Sequence, residues 1–215
     1  MIGYPVSLVH LDRARCLVVG GGSVAARKAT GLLEAQARIV VVSPTLCERL
    51  EILAGRGDID VIRRAYRPGD LEGAFLAIAA TSDPDVNQQI WEEAKARGIL
   101  VNVVDDPAHC TFIAPAVMRR GPLAIAISTS GRCPALSRHI RQRLEEDYGA
   151  AYGPFVELLG ELREQAVSAL PLSDRNAFWK QLFHSDVLVL LASGDEAAAR
   201  QRALEILSRN MSRGI

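Results

Sequence analysis

In Cys16-Leu-Val-Val-Gly20-Gly-Gly22-Ser-Val-Ala25 a short apolar strand breaks into glycines and reopens as a helix. This is the GxGxx(G/A) pattern in the strand-turn-helix setting that gives it meaning, the start of a dinucleotide-binding βαβ unit. Gly20 permits the tight turn, Gly22 lets the backbone approach a pyrophosphate with no Cβ in the way, and Ala25 lets helix and strand pack closely. Ser23 and Val24 begin the helix, whose unpaired N–H groups face the anion. Gly20, Gly22, Ser23 and Val24 are therefore the expected cofactor contacts. A glycine turn that only reverses the chain is the alternative.

Outward from this turn, apolar runs at 16–19, 38–42, 61–63, 75–80 and 100–104 alternate with helical spacing at 24–34, 45–56 and 86–97. That alternation builds a parallel sheet covered by helices on both faces, so an α/β, Rossmann-like domain is expected. Arg67-Pro-Gly-Asp70 marks a turn. A sixth run at 123–127, after Arg120-Gly-Pro, reads as an extension of the sheet, and Pro134 then opens a helix to about residue 147. Past Tyr148 only amphipathic helices follow, at 155–170, 174–183 and 195–208, separated by Pro171 and Gly194. The expected division is a nucleotide domain over 1–112, a joining segment over 113–150 and a helical domain over 151–215.

Composition narrows the function. Of 215 residues 49% are hydrophobic, and 25 Lys+Arg balance 25 Asp+Glu, which excludes a disordered chain and a globally basic nucleic-acid binder. No apolar run approaches the roughly 20 residues of a membrane helix, and the start Met1-Ile-Gly-Tyr-Pro5 lacks the basic and apolar regions of a signal peptide. A cytoplasmic protein with no membrane partner is expected. Cys16, Cys47, Cys110 and Cys133 lie far apart with no CxxC pair, fitting neither a disulfide framework nor a structural zinc site; reduced thiols are expected.

Past the second strand the chain reads Val42-Ser43-Pro44-Thr45. No carboxylate stands there to hold an adenosine ribose, and no arginine immediately follows to hold a 2'-phosphate. Ser43, Pro44 and Thr45 are left to meet the ribose, with the two hydroxyls hydrogen-bonding, which favours NAD over NADP. Thr81 reads equally as a cofactor contact and as a threonine starting a turn. The fifth run delivers Asn102-Val-Val-Asp105-Asp106-Pro107 to the same sheet edge. Asp106, before proline, shapes a turn; Asp105 is either a general base or a second turn aspartate. Its spacing to His109 and Cys110 matches no standard closed metal site, and no bound metal is expected.

Between residues 112 and 144 stand Arg119, Arg120, Arg132, Arg138, Arg141, Arg143 and His139, with no Asp or Glu. Such a segment suits a polyanionic ligand; a solvated helix face or a surface between subunits is the alternative. Nucleic acid is disfavoured by the lack of interleaved aromatics. Ser128-Thr129-Ser130-Gly131 forms a hydroxyl-rich loop of the kind that cradles an anion.

Together these residues resemble the siroheme synthase dehydrogenase/ferrochelatase family, the precorrin-2 dehydrogenases. The resemblance covers almost the whole chain and rests on Val19-Gly-Gly-Gly-Ser-Val-Ala-Ala-Arg-Lys28, Ala79-Ala-Thr-Ser-Asp-Pro-Asp-Val-Asn87, Asn102-Val-Val-Asp105, Phe112-Ile-Ala-Pro115, Arg119-Arg-Gly-Pro-Leu123, Ile127-Ser-Thr-Ser-Gly131 and, in the helical tail, Arg175-Asn-Ala-Phe-Trp179. It implies NAD-dependent oxidation of precorrin-2 to sirohydrochlorin and, in bifunctional members, insertion of Fe2+, a chelation substrate and not a bound cofactor. No residue here is diagnostic of that second step. Asp105 matches the family's catalytic aspartate, and Arg119, Arg120, Ser128, Thr129 and Ser130 become the expected substrate contacts for a carboxylate-rimmed macrocycle. The resemblance also implies a homodimer formed through about 113–150, and a chain ending at Ile215 leaves precorrin-2 to be supplied by a separate uroporphyrinogen methyltransferase. The competing readings are a non-catalytic NAD-sensing module on the same fold and another small-molecule NAD oxidoreductase. The sensor needs neither a base at Asp105 nor a polyanion pocket, and the oxidoreductase would show a Tyr/Lys or His/Asp proton-transfer pair that is not evident here.

Overall fold

The computed structural model describes residues 3–212, in two compact units that divide between Ala114 and Pro115. The first two residues of the start read above, and residues 213–215, lie outside it.

In the first unit five parallel strands, β1 (Arg15–Val19), β2 (Arg38–Val42), β3 (Asp60–Ile62), β4 (Leu76–Ala79) and β5 (Leu100–Val103), form one sheet in the order β3-β2-β1-β4-β5. The register pairs Val19 with Val42 on one side and with Ala79 on the other, so three carboxyl ends finish level. The strands are apolar at nearly every position because both faces are covered. Cys16 and Val18 face α1 (Ser23–Glu34) and α2 (Glu48–Gly55), while Leu17 and Val19 face α3 (Pro84–Arg97). Ala25, Ala26 and Ala29 are all buried, and their small side chains let α1 lie close on the sheet. Helix α3 starts sharply because the Asp83 carboxylate accepts from the N–H groups of Asp85 and Val86, with Pro84 in the first helical position.

The crossover from β3 to β4 contains no helix. The turn at Arg67-Pro-Gly-Asp70 is tied by a bidentate pair between Arg64 and Asp70, at 2.6 and 2.7 Å. Arg64 holds the Asp70 carboxyl below the usual carboxylate range. The Tyr66 hydroxyl donates to Glu93 on α3 at 2.5 Å, and the Gly69 N–H donates to the same carboxylate.

In the second unit the run 123–127 does not extend the parallel sheet. It is β7 (Leu123–Ile127), paired antiparallel with β6 (Ala116–Arg120) as a separate two-stranded sheet. The reason is local: Gly121, at φ 53°, turns the chain straight back, so the two strands pair with each other. Leu123, Ile125 and Ile127 are half-buried and the alanines between them exposed, the period of a one-sided sheet. Helices α4 (Pro134–Asp147), α5 (Tyr152–Ala169), α6 (Leu172–Phe183), α7 (Val187–Ala192) and α8 (Glu196–Met211) follow. Helix α7 was not expected from the sequence. Phe178, Leu162, Leu182, Val187 and Ala203 make one buried cluster among α5 to α8.

Phe178 is fully buried at the centre of that cluster. Phe178→Ala is expected to cost about 3–5 kcal/mol, read as a lower urea midpoint for the second unit.

Candidate active site

A cleft of about 720 Å³ opens at the carboxyl edge of the parallel sheet, where the strand order reverses between β1 and β4. Ligands of open α/β sheets bind at this switch point. Gly20, Gly22, Ser23, Val24, Ser43, Pro44, Thr45, Thr81 and Asp105 all line it.

The three glycines serve different purposes. Gly20 has φ 124°, and a Cβ there would stand 2.3 Å from the Ala80 carbonyl oxygen; its N–H donates to the Val42 carbonyl at 3.0 Å. Gly21 is as constrained, because a Cβ would fall 1.8 Å from the Thr45 carbonyl oxygen, while its own carbonyl accepts from the Cys47 N–H. Nothing in the pattern reading marks Gly21, since the motif leaves that position open. Gly22 differs: its φ of −84° suits any residue, and a Cβ would meet no atom within 4 Å. The fold does not need glycine at 22. A side chain there would fill the cradle before the first N–H groups of α1, which fits a dinucleotide pyrophosphate.

The ribose end is neutral, as the sequence implied. Ser43 is buried and its hydroxyl donates to the Thr45 carbonyl at 2.7 Å, so it closes the turn and keeps only acceptor capacity for a ligand. Two arginines follow β3, but Arg63 is paired with Glu51 and Arg64 with Asp70. The Thr81 hydroxyl sits in a closed local network, donating to Asn87 Oδ1 at 2.8 Å and accepting from the Asp83 N–H. Thr81 is thus a turn-starting threonine that also borders the cleft.

Asp105 lies just past the end of β5 with φ 61°, a left-handed conformation that aspartate tolerates better than most residues. Its carboxylate is exposed at the cleft. Asp106 beside it is spent on structure: it accepts from the Ala108 N–H and lies 2.6 Å from His109 Nδ1, which keeps its carboxyl below the usual range. His109 and Cys110 do not join Asp105. The Cys110 thiol points to the Val103 and Asp106 carbonyls, and burial pushes its pKa up.

The other expected contacts belong to the second unit. Arg120 donates to the Glu145 and Arg119 carbonyls, joining β6 to α4. Ser128 accepts from the Ser130 N–H, and Thr129 accepts from the Cys133 N–H and the Ser137 hydroxyl, so the hydroxyl loop braces the start of α4. Ser130 and Gly131 are both left-handed, at φ 53° and 77°. Sequence reasoning missed Tyr66 in the cleft wall, whose loop has no periodicity to betray it, and gave no role to Lys28 and Asn102 beside Asp105.

Sheet, glycine turn and cleft define a dinucleotide-binding α/β protein. Residues 8–116 match the family described as "Putative NAD(P)-binding", residues 120–146 the sirohaem biosynthesis protein central region, and residues 151–207 the sirohaem synthase dimerisation region. The chain belongs to the putative NAD(P)-binding family, and the sirohaem biosynthesis central and dimerisation regions follow that match in order. It is 40% identical over 207 residues to a siroheme synthase of Photorhabdus laumondii, covering 96% of this chain and 44% of the relative. Siroheme synthase 1 of Aeromonas hydrophila is 42% identical over 200 residues, covering 93% of this chain and 43% of the relative. The chain thus spans less than half the length of these relatives. A solved structure described as SirC, precorrin-2 dehydrogenase, superimposes with a TM-score of 0.75 at 26% identity, covering 96% of this chain and all of that one. Among the described residues no helix is long and apolar enough to cross a membrane.

The glycines make a paired test. Gly22→Asp places a good helix cap in open space, so thermal stability is expected to hold while calorimetric NAD affinity falls roughly tenfold or more through repulsion of the pyrophosphate. Gly20→Ala forces a Cβ into the Ala80 carbonyl at a positive φ, so its melting temperature is expected to fall.

Proposed function

We propose that this chain oxidises precorrin-2 to sirohydrochlorin with NAD, as the first unit's cleft and the family membership together suggest. The observation that carries the reading is the meeting, in one cleft, of the open Gly22 cradle and the exposed Asp105 carboxylate. The neutral ribose end supports NAD over NADP. Bound NAD supplies a hydride acceptor. Loss of hydride from one macrocycle carbon together with loss of one proton from the macrocycle balances the two-electron oxidation, and Asp105 receives that proton. Ferrous iron is a substrate of a second step in this reading: its insertion displaces two pyrrole protons, one taken by Asp105 and the other passed to solvent.

Residues 1–112 would serve the cofactor and 113–150 the substrate; the dimer contacts expected over 113–150 are assigned instead to the helical 151–215, where the dimerisation region matches. Within the middle segment, Arg119, Arg120, Ser128, Thr129 and Ser130 are assigned to the carboxylate-rich substrate on grounds of charge and hydrogen-bonding type. The match of 151–207 to a dimerisation region supports a homodimer. A uroporphyrinogen methyltransferase acting first would provide the substrate, and the use of NAD points to the cytoplasm.

Anaerobic absorbance spectroscopy with precorrin-2 and NAD tests this. Wild-type protein is expected to give the sirohydrochlorin spectrum, and Asp105→Ala to lose about 10²-fold or more in turnover while binding NAD normally. NAD binding with no spectral change in the wild type would refute the dehydrogenase reading, and near-normal turnover by Asp105→Ala would remove that carboxylate from the mechanism.

A further inference from the structure

The fingerprint that opens α1 is complete at Ala25, yet the helix carries a cation one turn further in whose side chain turns toward β5. Lys28 Nζ donates to Asn102 Oδ1 at 3.3 Å. Asn102 is buried on β5, and its amide nitrogen donates onward to the Phe112 carbonyl at 3.1 Å and to the Cys110 thiol at 3.4 Å. The segment that leaves β5 returns at once to the same strand. The Thr111 N–H donates to the Val101 carbonyl at 2.8 Å, and Asn102 bridges Cys110 in antiparallel fashion. Asp105 therefore sits on a small closed loop whose two stems are joined by the Asn102 side chain, and Lys28 holds the remaining polar atom of that side chain.

We propose that Lys28 is a positioning residue for Asp105: through Asn102 it fixes the loop that presents the carboxylate. This rests on the reading of Asp105 as the base. The titratable groups acting on Lys28 are Arg27 on its own helix and, from the loop, Asp105 and Cys110. Burial, the largest influence, holds the Lys28 ammonium below the ordinary lysine range; Arg27 pushes the same way, while Cys110 and Asp105 oppose it. The Asp105 carboxylate thus stabilises the Lys28 cation.

Two measurements on the full chain decide the matter. Lysine-selective NMR titration follows the Lys28 Cε signal in the wild type and in Asp105→Asn, a change that suits the left-handed position. The Lys28 midpoint is expected to fall further in Asp105→Asn, by roughly half a pH unit. An unchanged midpoint overturns the proposal, whether or not precorrin-2 is turned over. In the anaerobic assay, Lys28→Met is expected to lower kcat roughly tenfold or more, with KM and NAD affinity unchanged; Lys28→Arg restores kcat. Circular dichroism checks the fold of both variants, and if Lys28→Met does not fold, Lys28→Arg with wild-type kcat supports the proposal and a folded Lys28→Arg with kcat lowered roughly tenfold overturns it. Wild-type kcat in folded Lys28→Met overturns it as well. A wild-type protein that binds NAD but leaves precorrin-2 unchanged refutes the functional reading instead, and the titration then stands alone as the test.

Discussion

The passage of the chain from β1 into α1 between the ends of β2 and β4 is the constraint on which the cleft depends. Backbone meets backbone on both sides: Gly20 lies against the Ala80 carbonyl and Gly21 against the Thr45 carbonyl, closer than any Cβ permits. Because the strand ends are level at Val19, Val42 and Ala79, the turn has nowhere else to go. Its hydrogen bonds to Val42 and Cys47 then tie the loop after β2 to it. The floor of the cleft is made by main chain, which resists surface substitution and holds the first N–H groups of α1 toward the space left at Gly22.

The two aspartates after β5 show how one short loop commits one carboxylate to structure and leaves the other exposed at the cleft. Asp106 caps the single turn Pro107–His109 and pairs with His109, so its charge is satisfied within the loop. Asp105 adopts a left-handed backbone, which turns its side chain out of that network and into the cleft wall. Strain of this kind persists only where the surroundings hold it, here through the return of Thr111 and Phe112 to Val101. A carboxylate carried on a mobile loop would lose the orientation that proton transfer needs.

What the sequence made legible follows from period and sterics. The five parallel strands are apolar at adjacent positions because both faces are buried, and uniform runs such as Leu17-Val-Val19 stand out. The hairpin was misread as a sixth strand although its signs were present: Leu123, Ile125 and Ile127 alternate with alanine, the period of a one-sided antiparallel sheet, and Gly121 lies just ahead. Strand β6 hid because it ends in two arginines, and α7 because six uniformly apolar residues give no helical period. The glycine turn was legible because the close passage from β1 to α1 needs glycine, and the place of Asp105 at the cleft because it follows a strand end. The Tyr66 wall was not, since it depends on a long-range bond to Glu93 that no local pattern encodes. Nor could sequence show that Arg120 and the Ser128–Ser130 hydroxyls are engaged within their own unit, because charge and hydroxyl content say nothing of which carbonyls they meet.

Helix α1 joins these threads. Its N-terminus faces the cradle at Gly22, while Lys28, five residues on from Ser23 and so about 7.5 Å along the axis, reaches the stem of the Asp105 loop. The buried face between them, Ala25, Ala26 and Ala29, is small and rigid and leaves the helix no play against the sheet. The distance between the anion-binding end of the cleft and its carboxylate is therefore set by one helix seated on one sheet. In the proposed reaction a hydride acceptor and a proton acceptor must address one substrate, and a single rigid element gauging both sites meets that demand with less lost precision than two independent loops.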